Sequence, residues 1–371
     1  MTWMFNRCRR RGGITKALNG VLLALLIAVA PAAFAQTSVT DLTLPAIAVR
    51  QPGQNFIDGL ALAGKRIVIT GLHGLIAYSD DDGQTWHQAK VPVNVLLTAV
   101  AFANARDGWA VGHMGVILHT TDGGKTWQTQ IDGRGVDALE AAAAQTANPA
   151  LPTAALALRR AEVFENMGPD RPFLAVLAQS PQQAIVVGAY RMALRTTDGG
   201  KTWEDISLNI LDPLSHNLYG ITEIGHSIFI GAETGLTFCS TDDGLSFPQL
   251  TPTGDATLFG IVPTADGSVF AYGVAGAAYL SHDQGKTWQN INVGTNSDIT
   301  AGLLLKSGVI VLASQTGNLF VSYDNGQSFH LFPQTIPMLL TNLVQLANGN
   351  VVVAGSRGIK IFPESDFQKP Q

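Results

Sequence analysis

Cysteine is almost absent from this 371-residue chain, which has only Cys8 and Cys239. So few thiols exclude a disulfide-built scaffold and any paired-cysteine metal motif. Charge is sparse too, with 23 basic residues against 28 acidic ones. Beyond the first sixteen residues no basic tract could neutralise a phosphate backbone, which excludes a nucleic-acid partner. Long apolar runs are also missing. The clearest, "VLLALLIAVA" (Val21–Ala30), is about half of the ~20 residues that a bilayer crossing needs. It follows Arg7, Arg9, Arg10, Arg11 and Lys16 and precedes the small-residue site "AFA" (Ala33–Ala35), the pattern of a secretory signal. Residues 1–35 are therefore expected to be a signal peptide cleaved after Ala35, with export to the periplasm. Five basic residues and no acidic ones leave with it, so 18 basic stand against 28 acidic and the net charge is −10. Cys239 then remains alone, and no cysteine at the cleavage point offers a lipid anchor.

Motifs for chemistry are missing as well. There is no His-Glu-x-x-His and no phosphate loop, and "GHSIF" (Gly225–Phe229) lacks the second glycine of a nucleophile elbow. The eight histidines are scattered. His73 and His113 could approach one another, but two histidines alone do not make a metal site. No catalytic residue, metal or cofactor is expected.

What the chain does have is a repeated turn. "HTTDGGKTWQTQ" (His119–Gln130) returns as "RTTDGGKTWEDI" from Arg195. The pattern Ser/Thr-x-Asp-x-Gly-x-Thr/Ser-Trp/Phe occurs six times, with its acid at Asp81, Asp122, Asp198, Asp242, Asp283 and Asp324. The steps are 41, 76, 44, 41 and 41 residues, the long one being a period plus an insertion of 35. A period near forty with alternating apolar residues predicts propeller blades. In the second copy "LTAVAFAN", "WAVG", "VILHT" and "WQTQI" read as four strands separated by turns. A seventh unit, Leu343–Phe362, has strands but no such turn. The expected fold is all-β: a seven-bladed β-propeller over residues 55–363, with a helical insert at 133–170. Residues 36–54 are expected to supply a strand ("VTDLTLPAIAV", Val39–Val49) that completes the last blade and closes the ring. Residues 364–371 are expected to be a tail.

The turn has a mechanical reading. Its Asp and Ser/Thr side chains hydrogen-bond nearby backbone, its glycine takes a left-handed conformation, and its aromatic residue folds back between hairpins. Those aromatics are Trp86, Trp127, Trp203, Phe247, Trp288 and Phe329. The alternative, an acidic calcium loop, needs more oxygen ligands than these turns provide.

The turn resembles the Asp-box of the bacterial neuraminidase (BNR) repeat. The longer phrase "DGWAVGHMGVILHTTDGGKTW" (Asp107–Trp127) resembles the repeat of the photosystem II assembly and stability factors and their bacterial relatives. The likeness runs from about Asn55 to Phe362. It implies an exported, non-enzymatic seven-bladed propeller that scaffolds a membrane protein complex or envelope protein, located in the thylakoid lumen if the organism is photosynthetic. The alternative is a secreted sialidase-like glycoside hydrolase or carbohydrate-binding propeller. A sialidase needs clustered arginines for its substrate's carboxylate, and its Arg-Ile-Pro phrase is absent.

Turns between second and third strands lie on the face that carries the crossings between blades, opposite the Asp-boxes. The insert falls in such a crossing, between blades two and three. It reads as an Ala-rich helix, "VDALEAAAAQ", a break at "NPALP" (Asn148–Pro152), and a second helix, "TAALALRRAEVFENM" (Thr153–Met167). In the second helix Leu156, Val163, Phe164 and Met167 share one side. The candidate partner surface on this face comprises His73, His113, Tyr190, Arg191, Glu233 and Arg357, with Arg159 and Arg160 of the insert.

Overall fold

The computed structural model describes residues 39–147 and 154–369. The expected signal, its cleavage after Ala35 and the break at Asn148–Pro152 lie outside the described residues. Seven antiparallel sheets follow one another along the chain. Each begins with an innermost strand: Ile57–Ala63, Leu97–Phe102, Phe173–Ala178, Leu218–Ile224, Leu258–Pro263, Ile299–Leu304 and Leu340–Gln345. These seven strands touch in order, and the last meets the first, so the ring is closed. Second strands such as Gly108–Gly112 ("GWAVG") are buried along their length, because a neighbouring blade covers each face: blade 1 on the Ala110 side and blade 3 on the Trp109 and Val111 side. They therefore read as short continuous apolar runs rather than as alternation. Blades 4 and 7 have three strands; the other five have four. In blade 4 only an isolated bridge, Phe238–Gln249, stands where the fourth strand would be. Two helices, α1 (Gly133–Thr146) and α2 (Ala154–Met167), pack together between blades 2 and 3.

The Asp-box aromatics pack between their own blade and the one before it. Trp127 lies in a core with Val68 and Ile76 of blade 1, and Phe247 in one with Ile185 and Val187 of blade 3. Blade 7 has no Asp-box. Its place is taken by Phe367, which is 1% exposed and lies in the short turn Glu364–Phe367. Phe367 stacks on Phe332 at 5.0 Å and meets Phe362 edge-on. The expected tail thus contains a core residue, since a blade without a box aromatic would leave a cavity at its junction.

The N-terminal segment corrects a second expectation. Val39–Leu42 is a 3-10 turn, and residues 43–49 join no sheet, so blade 7 stays three-stranded. The segment runs instead along blade 1. Ala46 N donates to Val91 O at 3.1 Å, and Ile47 N to His73 O at 3.2 Å. The Gln88 side-chain amide clasps Val49 N and Ile47 O, both at 2.8 Å. Pro45 has no N–H to give a ladder, and Leu42 finds a buried seat with Met114 and Val93. Closure comes from the inner strands themselves. Thr341 Oγ1 donates to Ile57 O at 2.7 Å across 284 residues, as Thr98 does to Phe173 O and Thr300 to Leu340 O. Behind it Ile67 and Ile69 of blade 1 pack on Val352 and Ala354 of blade 7.

Candidate functional site

The Asp-boxes form one face. In all six, Oδ1 of the acid accepts from the preceding Ser/Thr hydroxyl at 2.7–2.9 Å. The glycine N–H donates to that hydroxyl, and the other carboxylate oxygen accepts from the Thr/Ser four residues on. Each carboxylate is thus committed to its own turn. Hydrogen bonds from that following Thr/Ser hold Asp81, Asp198, Asp242 and Asp283 down to about 2. Their folded pKa lies below the unfolded value near 4, so this stabilisation is complete above about pH 4 and is lost as pH falls towards 2. An Asp283→Asn variant is expected to be less stable than the parent at neutral pH, with the gap closing between about pH 4 and 2 in urea titrations. An unchanged gap would contradict the clasp. Trp127, Trp203 and Phe247 are buried, whereas Trp86, Trp288 and Phe329 are only half-buried.

The opposite face carries the turns between second and third strands. Glycine ends these turns in blades 1, 2, 4, 5 and 6 with a left-handed backbone, and a Cβ there would collide with a neighbouring segment, as at Gly317 against Ile336 O. Blade 3 has Arg191 at this place, with φ 60°. Its side chain has room because the crossing to blade 4 takes 12 residues (206–217) against 8 in blades 1, 5 and 6. Contrary to the expectation of a partner-facing residue, Arg191 is 1% exposed. Its guanidinium donates to Asp212 O at 2.5 Å and Ile210 O at 3.4 Å, bracing that long crossing. Burial, with Arg160 adding, pushes its pKa down to about 10, so it stays charged at neutral pH.

The other expected residues divide. His73 and Arg357 are exposed, and Tyr190 is 45% exposed with a left-handed backbone. His113 is half-buried, and burial lowers its pKa against the pull of Asp170. Glu233 is occupied: its carboxylate accepts from Asn217 N and Nδ2, each at 3.0 Å. Arg159 is exposed, but Arg160 is drawn inward. It reaches Ser215 Oγ at 3.0 Å and Glu140 at 3.4 Å. In α2, Ala157 and Phe164 face the protein with Arg160, while Val163, expected on the same side as Phe164, is 52% exposed.

The residues that seat the insert were not legible in the sequence. Arg171 pairs with Asp137 at 2.6 Å and with Glu140 at 2.8 Å, and lies 3.8 Å over the Phe164 ring. Burial opposes its charge, but Glu140 and Asp137 outweigh it and raise its pKa. Phe164 in turn meets Tyr190 at 5.5 Å. Gln130 clips blades 2 and 3, accepting from the Trp109 and Trp203 indoles at 3.2 Å and donating to Gly199 O at 2.8 Å. Around this insert the surface is apolar: Leu158, Leu211 and Leu214 are 46%, 51% and 78% exposed.

A third feature is the channel mouth on the insert face, a cavity of about 550 Å³. All seven inner strands slip register just after their first residue. The residues at these bulges are Asp58, Thr98, Leu174, Tyr219, Phe259, Thr300 and Thr341, and every one lines the cavity. Bulges re-aim side chains, and here they form a collar. Among the described residues no group of three or more His, Cys, Asp or Glu is placed to hold a metal.

Closed ring, six clasped acid turns and an inserted helical pair define the class: a seven-bladed Asp-box propeller. The model of the photosynthesis system II assembly factor YCF48 family matches residues 79–144 and 165–359, and the chain belongs to that family. The matched stretches leave out 145–164, which includes most of α2. Photosystem II assembly lipoprotein Ycf48 of Synechococcus sp. (strain CC9902) is 28% identical over 159 residues, 42% of this chain and 47% of the relative. The Ycf48 of Prochlorococcus marinus (strain SARG) is 28% identical over 168 residues, 44% of this chain and 48% of the relative. The match thus spans about half the length of these relatives. Among solved structures, one described as YCF48 bound to D1 peptide has a TM-score of 0.62 at 17% identity, over 86% of this chain and 98% of that one. YCF48 from Cyanidioschyzon merolae gives 0.61 at 13% identity, over 85% and 98%. At such identities the structures show the fold.

Proposed function

We propose that the chain is an exported, non-enzymatic scaffold that holds a segment of a membrane protein while a membrane complex is assembled, using the insert face. The observation that carries this reading is the exposed apolar surface beside the insert, where Leu211 and Leu214 stand out on a crossing that Arg191 braces from below. Family membership supports it, as does a neighbour whose structure is described as holding a D1 peptide. Among the described residues the channel mouth presents one carboxylate, Asp58, and no arginine. A glycoside hydrolase commonly needs two carboxyl groups, and a sialidase needs arginines for its substrate. His73, Tyr190, Arg159 and Arg357 remain the proposed polar contacts; Arg191, Arg160 and Glu233 act through the shape of the face.

In a photosynthetic organism the compartment would be the thylakoid lumen, otherwise the periplasm. Both relatives carry "lipoprotein" in their names. The absence of a cysteine near Ala35 favours an unlipidated N-terminus at Gln36 here, and intact-mass measurement of the exported protein should find no acyl addition. Affinity capture from detergent-solubilised membranes is expected to recover a membrane protein in stoichiometric amount, and a Leu214→Asp variant to lose it. Turnover of a labelled glycoside with no captured partner would overturn the proposal.

A further inference from the structure

The collar at the channel mouth is chemically two-sided. Thr300, Thr341, Asp58 and Thr98 come from blades 6, 7, 1 and 2, which are consecutive around the ring, and form one arc. Leu174, Tyr219 and Phe259 from blades 3, 4 and 5 form the other. The three threonine hydroxyls have committed their proton to a neighbouring strand's carbonyl, each at 2.7 Å, so lone pairs remain available to the channel. The Asp58 carboxylate makes no hydrogen bond or ion pair among the described residues, and no cationic group lines the cavity. The polar arc therefore offers acceptors and one negative charge without a counter-ion. Across from it, Tyr219 and Phe259 meet edge-to-face at 5.4 Å and supply apolar surface suited to an alkyl stem.

We propose that this bulged collar binds a primary alkylammonium group, with Asp58 taking the charge, the threonine oxygens accepting N–H bonds, and Tyr219 and Phe259 covering the stem. A lysine side chain of a bound polypeptide and a free alkylamine share this chemistry. The cavity volume lies within the usual range for small-molecule sites. The proposal does not depend on the scaffold reading. Burial pushes the Asp58 pKa up to about 6. The other titratable groups facing the cavity are Tyr219 and Tyr272, the first raised and the second pushed up to about 12 by burial, so both stay neutral through the useful range. Glu233 lies behind Tyr219, 3.5 Å from its hydroxyl.

Calorimetric or NMR titration of the purified chain without its signal tests this with n-pentylammonium, n-pentanol, cadaverine, and the Nα-acetyl methylamides of lysine and norleucine. Near pH 7.5 the ammonium is expected to bind at least about tenfold more tightly than the alcohol. Asp58→Asn should abolish that preference, and Phe259→Ala should weaken both probes alike. Lowering the pH to about 5 should weaken the ammonium about tenfold, because Asp58 is then mostly protonated. Tighter binding of the lysine amide than of the free amines points to a polypeptide side chain, and the reverse order to a free amine. Asp58→Asn should also melt higher than the parent above about pH 6, the ionised carboxylate being disfavoured in the fold. Ammonium binding that is undiminished in Asp58→Asn, or no preference over the alcohol in a parent protein that melts cooperatively, would overturn the proposal.

Discussion

Trp109→Ala is expected to destabilise the protein by about 3–5 kcal/mol, the usual scale for removing a buried tryptophan. Its indole is fully buried in the core between blades 2 and 3, beside Trp203 and Phe173, and lies 4.7 Å from the His119 ring. Truncation leaves a cavity whose walls are strands of two blades, and such walls cannot collapse without opening the ring. It also removes one of the two indole N–H groups that hold Gln130 against the blade 3 turn. Trp288→Ala is the comparison, since that indole is only half-buried and should cost less. Urea denaturation followed by circular dichroism measures both. Equal losses would show that depth of burial does not set the cost of losing an aromatic at a blade junction.

Arg171→Ala should cost a similar ~3–5 kcal/mol, for a different reason. Glu140 is 5% exposed, and its close partner is Arg171 at 2.8 Å; Arg160 stands off at 3.4 Å. Removing the guanidinium strands a buried carboxylate and uncovers the Phe164 ring. The lesion is expected to be local at first, with α1 amides exchanging faster while the inner strands keep their protection. An Arg171→Met, Glu140→Leu double variant removes both charges and should recover most of the loss. If the double variant falls as far as the single one, the cluster contributes shape rather than charge balance.

The fold was largely readable because the Asp-box announces its own period: a turn that needs one acid, one glycine and one aromatic at fixed offsets leaves little freedom in sequence. The exceptions follow from the same physics. Phe367 does the work of a box aromatic without the box, and a single phenylalanine near a chain end carries no periodic signal. Pro45 did carry a signal, since a residue without an N–H suits a ladder poorly. Arg191 stands where other blades have glycine, so exposure was the natural reading for a charged side chain. Only the longer crossing behind it, 12 residues rather than 8, provides the carbonyls that bury it. The collar was the least legible. Asp58, Thr98 and Phe259 share no residue type, and what unites them is a bulge recurring in every inner strand, marked in sequence only by a large apolar residue before it and, in six of the seven strands, Gly or Ala after it.

The proposed function places binding on the insert face and mechanical support on the Asp-box face. Site-specific photo-crosslinking in intact membranes tests that division most directly, with a photoreactive residue placed at Tyr190 or Leu214 on one face, or at Gln84 or Lys201 on the other. All four positions are exposed. Crosslinks to one membrane protein from Tyr190 and Leu214, and none from Gln84 or Lys201, are the predicted result. Crosslinks from the Asp-box positions alone would contradict it.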